Sequence, residues 1–131
     1  MYRPVATLAT VAAVSVAAAG AAHAATDADQ VRGVLDVLNN AYNSSDFDAF
    51  ASHLCAQMRE TDDFKAGWYV RRRVDGPTRI TVNSVNVAGD DAFANVRFEA
   101  ANRTDAKTMD VEFIREGLDW KACRYHAVRS V

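Results

Sequence analysis

The hydrophobic period of this chain changes once, at Gly76-Pro77, and that change restricts the fold more than any other feature. Before it, apolar residues recur at intervals of three and four; after it, they alternate. The first period lines one stripe of a helix and the second lines one face of a strand. Helices first and strands later, each with a single apolar face, predict an α+β domain with its helices packed on one face of an antiparallel sheet.

In the helical half, "TDADQVRGVLDVLNNAYNSSD" predicts a first helix. Asp27 is placed as its cap, with Gln30 completing a capping box. Val31, Val34, Leu35, Leu38 and Tyr42 make the apolar stripe, and Asn43-Ser44-Ser45 ends it. A second helix is expected over 47–58, "FDAFASHLCAQM", capped by Ser45 or Asp46, with Cys55 beside its apolar stripe. A shorter third helix follows "TDD" at 61–63, weakened by Gly67.

Four short strands follow. "RITVNSVNV" alternates at Ile80 and Val82 and then at Val85 and Val87, a phase shift that predicts a bulge near Asn83-Ser84. Turn signals at 88–91, 101–105 and 116–119 separate "AFANVRFEA", "KTMDVEFIR" and "WKACRYHAV". Tight turns between consecutive strands predict an antiparallel meander. Strict alternation in the last strand puts Trp120 on the face opposite Cys123 unless a bulge intervenes. An outward Trp120 would favour a homodimer through the sheet.

The N-terminus speaks to compartment. Arg3 precedes an uncharged, alanine-rich run from Val5 to Ala22, and Ala22-His23-Ala24 has the small-x-small form of a signal-peptidase site. Residues 1–24 read as a signal peptide cleaved after Ala24, leaving 25–131 as one domain, secreted or held at the cell envelope. An uncleaved membrane anchor is the rival reading, and membrane association follows only from it. The formal net charge of −2 becomes more negative without Arg3, so no general attraction to nucleic acid is expected.

Export also bears on the two cysteines, Cys55 and Cys123, 68 positions apart. Outside the cytoplasm such a pair is read first as a structural disulfide, with two free buried thiols as the alternative. Two thiols alone close no zinc site, and the spacing is not that of a CxxC redox pair.

In order along the chain stand "AYNSSDFDAFASHLC", "VAGDDAFANVRF" and a terminal "WKACRY". Together they resemble the NTF2-like (cystatin-like) superfamily, particularly the small secreted bacterial proteins of the lumazine-binding-like DUF4878 group. The resemblance covers most of 27–128 and implies helices packed on a curved four-stranded antiparallel sheet, a cone with a cavity. It also implies that the two cysteines pair. It implies no single activity, because the superfamily holds isomerases, dehydratases, transport factors and domains without catalysis.

No HExxH, GxSxG or phosphate-binding glycine loop occurs, so no metal, cofactor or catalytic residue is assigned. Acid–base candidates are Tyr42, His53, Asp63, Asp110 and His126, each with a plain structural reading as packing, cap or surface. Tyr42, Trp68 and Asp110 are assigned to a pocket; Arg71-Arg72-Arg73 reads first as a solvated face, with binding of an anionic envelope component, such as a lipid headgroup or acidic glycan, as the alternative. The expected function is a secreted, non-catalytic domain that binds a small apolar ligand or an envelope protein. The alternative is an isomerase- or dehydratase-type enzyme using Tyr42 and a strand carboxylate.

Overall fold

The structure, a computed structural model, describes residues 25–128. The signal peptide expected over 1–24 lies outside the described residues. Helix α1 spans Asp27–Asn43, α2 Phe47–Ala51, α3 Ala56–Arg59 and α4 Asp62–Asp75. Strands β1 (Thr78–Ala88), β2 (Asp91–Ala100), β3 (Lys107–Glu116) and β4 (Asp119–Ala127) form an antiparallel sheet in the order β1-β2-β3-β4. The period change thus marks the boundary between layers, and the α+β expectation holds.

The apolar stripe of α1 does what its spacing predicts. Val31, Leu35 and Leu38 are buried against Ala94 and Val96 of β2 and Val111 and Phe113 of β3 in one core. Burying each large side chain stabilises the fold by about 1.5–3 kcal/mol. The N-cap of α1 is Thr26, one residue before the expected Asp27; its hydroxyl accepts from the Asp29 N–H at 3.1 Å. Asp46 caps α2 through the Ala49 N–H.

The single helix expected over 47–58 is broken. Residues 52–55 leave helical geometry and run beside β4: Cys55 N–H donates to Ala122 O and Ala122 N–H to His53 O, both at 2.9 Å. The β4 edge thereby gains partners for backbone groups that would otherwise stand open. Helical periodicity survives across the break because Leu54 is still driven inward, 1% exposed. Cys55 and Cys123 form a disulfide at this clip.

Two bulges keep the strands' apolar faces inward. One lies between Val82 and Ser84 on β1, as the phase shift predicts. The other is in β4, where Phe113 pairs with Ala122 and Glu112 with Arg124, leaving Cys123 as the extra residue. Trp120 and Ala122 before this bulge, and Tyr125 after it, therefore share the core side. Trp120 is 2% exposed, with the Arg115 guanidinium 4.7 Å from its ring. It is thus not an outward residue, and the argument it supplied for a sheet-face dimer falls.

Gly76 ends α4 with φ +72°, a left-handed geometry that favours glycine. A Cβ there would lie 2.8 Å from Asn102 Nδ2. Asn102 instead packs against the helix end, its N–H donating to Asp75 O at 2.9 Å. That contact brings the β2–β3 turn, and Arg103 with it, onto the end of α4.

Candidate ligand-binding site

Helices and curved sheet enclose a cavity of about 180 Å³. Leu35, Leu38, Asn39 and Tyr42 of α1, Phe50 of α2 and Arg71 of α4 form its helical wall. Thr78, Ile80, Phe98, Met109 and Tyr125, drawn from all four strands, form the opposite wall. A wider groove of about 1210 Å³ adjoins it, sharing Tyr42, Phe50, Arg71, Met109 and Tyr125. The groove adds Met58, Asp63, Phe64, Gly67 and Trp68 on the helical side and Lys107, Thr108 and Val128 on the other.

Trp68 is the hub of the helical wall. Its ring centroid lies 5.4 Å from that of Tyr42, 5.2 Å from Phe50 and 5.3 Å from Phe47, tilted or edge-on in each case. Its Nε1 is buried without a hydrogen-bond partner. Tyr42 thus lines both the cavity and the groove, and Trp68 the groove alone.

Asp110 does not join them. It alternates with core-facing Val111, and its carboxylate accepts from Asn95 Nδ2 at 2.9 Å; Asn95 in turn accepts from Asn83. These residues belong to the outer sheet face, and Asp110 lines neither cavity nor groove. His126 shares that face, 3.3 Å from Glu112. His53 Nδ1 lies 2.9 Å from Ala49 O and 3.0 Å from Ser52 Oγ, outside the cavity walls. Asp63 reaches the groove but not the inner cavity.

The carboxylate that does meet Tyr42 is Asp75. The Tyr42 hydroxyl donates to Asp75 Oδ2 at 2.8 Å, and the Arg103 guanidinium binds the other oxygen. Asp75 is 8% exposed. Burial alone would raise its pKa, but the hydrogen bonds from Arg103 and Tyr42 outweigh burial and hold it below the usual carboxylate range. Burial first, and the bond to Asp75 second, push the Tyr42 phenol well above its ordinary value. Burial likewise pushes up Tyr125. Both phenols are neutral at pH 7; Tyr42 donates to Asp75, and Tyr125 forms part of the cavity wall.

Sequence reasoning passed over Asp75, although one signal was present. An acid in the last turn of a helix opposes the helix dipole and so calls for a compensating cation. Asn43 was read only as part of the stop that ends the first helix. Its side chain instead bridges to β1, Nδ2 donating to Thr78 O and Oδ1 accepting from Thr78 N–H, both at 2.7 Å. The solvated-face reading of 71–73 also needs correction. Arg72 is partly buried and donates to Tyr42 O at 2.7 Å and Asn43 O at 2.8 Å, satisfying the carbonyls that end α1.

The chain has the NTF2-like, cystatin-like fold. It is similar to an NTF2-like protein of unknown function from Shewanella oneidensis at TM-score 0.62 and 15% identity, over 76% of this chain and 96% of that one. An NTF2-like protein of unknown function from Shewanella baltica matches at 0.56 and 14%, over 92% and 100%. A cystatin-fold protein from Novosphingobium aromaticivorans matches at 0.52 and 13%, over 74% and 96%. At these identities the likeness defines the fold alone. No protein-family model and no curated protein matches the chain, so the resemblance to the DUF4878 group is carried no further.

Proposed function

We propose that this protein is an exported, non-catalytic domain that binds a small apolar ligand in the cone. One observation carries the reading: among the described residues, no side chain lining the inner cavity is a carboxylate or a histidine, while most are aliphatic, aromatic or thioether. A pocket built this way favours burial of apolar surface, with few polar groups to orient a ligand. The isomerase- or dehydratase-type alternative requires an acid–base pair aimed at a substrate. Tyr42 instead donates its hydrogen bond to Asp75, whose charge is matched by Arg103, and Asp110 belongs to the outer sheet face. The disulfide, together with the signal-peptide pattern read from the sequence of residues 1–24, supports export. Among the described residues no helix is long and apolar enough to cross a membrane.

Native mass spectrometry of the protein purified from its own host tests the reading. The expected result is a chain beginning at Ala25, two hydrogen masses lighter than the dithiol form, with a small molecule released on unfolding. Turnover of a carbonyl substrate that Tyr42→Phe abolishes in a folded variant would overturn it.

A further inference from the structure

Helix α4 presents Phe64, Gly67, Trp68 and Arg71 to the groove, spaced three and four apart on one face. Gly67 is unusual there. Glycine in a helix interior costs about 1 kcal/mol relative to alanine. Yet an added Cβ at Gly67 would meet nothing within 4 Å, so no neighbour demands its absence. What the missing side chain leaves is open space in the groove wall, one turn before Arg71.

Among the described residues, Arg71 is the only charged side chain that lines both the groove and the inner cavity. Neighbouring cations are committed elsewhere: Arg72 to the carbonyls ending α1, Arg103 to Asp75. Arg71 takes part in none of the ion pairs among the described residues. Asp75, one turn further on, feels its field but gives its two oxygens to Tyr42 and Arg103. Lys107 adds a second cation to the groove, against the single carboxylate of Asp63. The site is thus apolar within and cationic at its mouth.

Resting on the apolar-ligand reading above, we infer that the ligand is an amphiphile with a carboxylate head. Its apolar end occupies the inner cavity, its carboxylate pairs with Arg71 at the mouth, and Gly67 keeps the approach open. The cavity size sets the scale of the apolar end. An apolar cavity of roughly 150 Å³ accommodates benzene, so about 180 Å³ suits a single ring or a short alkyl chain. A guanidinium pairs with a carboxylate through parallel N–H donors, whereas a neutral hydroxyl head gains far less from it.

The test is isothermal titration calorimetry of the disulfide-bonded protein at pH 7 with octanoate and, separately, 1-octanol. Octanoate is expected to bind at least about tenfold more tightly, the usual scale for a charge-assisted contact. Arg71→Gln should bring octanoate down to the octanol value and leave octanol unchanged. Gly67→Leu, which favours the helix, should raise the melting temperature and abolish binding of both. Equal affinities that Arg71→Gln does not alter would overturn the carboxylate inference and leave the apolar-ligand reading standing. Octanoate binding that survives Gly67→Leu would overturn the placement in this groove. Binding of neither probe, together with host-purified protein that retains no small molecule, would overturn the apolar-ligand reading itself.

Discussion

Replacing both Cys55 and Cys123 with alanine removes the covalent clip and little else. Both residues are buried, at 4% and 3% exposure, and the flanking backbone pairing between 53–55 and Ala122 is independent of sulfur. The native geometry should therefore persist while the unfolded chain gains freedom. For a closed loop of about 70 residues the chain-entropy relation gives roughly 4 kcal/mol. A unit of about 100 residues melts with an entropy near 0.2 kcal/mol/K, so the loss corresponds to a fall of ~20 °C in Tm. Circular-dichroism melts of the oxidised wild type, the wild type in reductant and the double variant measure it. The second and third curves should coincide, and far-UV spectra at low temperature should match the first. A fall of less than about 5 °C would refute the reasoning. It would mean that the unfolded chain is already compact around this region, or that the 53–55 clip suffices alone.

Three further outcomes follow from the polar contacts around the end of α1. Arg72→Ala should cost about 1–2 kcal/mol, because Asn43 O loses its donor and Tyr42 O keeps only the Ser45 N–H, while Arg73→Ala at the exposed neighbour should stay within about 0.5 kcal/mol; urea titration separates them. Asn43→Ala should cost about 2 kcal/mol in the same assay, because the Thr78 N–H and C=O both lose a partner. Asp75 sets a pH dependence. Its carboxyl is held below its unfolded value, so the stability it supplies is fully present above about pH 4 and is lost as pH falls through the folded pKa. Melting temperatures of Asp75→Asn across pH 2 to 7 should be lower than wild type near neutrality and should converge with it in acid.

Most of the architecture was legible in the amino-acid sequence. Val31, Leu35 and Leu38 are buried where a 3.6-residue period puts them, and Ala92, Ala94, Val96, Val111 and Phe113 where a period of two puts them. The β1 bulge was visible because two in-phase pairs, Ile80 with Val82 and Val85 with Val87, are out of step with each other. Burial of apolar surface acts on every residue of an element, so its period is written locally. The break at 52–55 was not legible, because Leu54 points inward whether its segment is helical or lies beside β4. The β4 bulge was readable only as the alternative to an outward Trp120, because its run carries no phase signal; it adds one residue, Cys123, and turns Trp120 into the core.

The site divides in the same way. Tyr42 ends the apolar stripe of α1, so its inward side was legible from spacing, whereas Trp68 lies in a helix whose stripe the sequence did not define. The partner of Tyr42 is Asp75, 33 positions on, delivered by Gly76 and held by Arg103 from a different turn. Asp110 went to the outer face because its neighbour Val111 required the core. Hydrophobic periodicity is a property of neighbours along the chain. Which carboxylate meets which phenol, and which arginine is left free at the mouth of the cavity, depends on how distant segments pack together, and only the tertiary structure decided it.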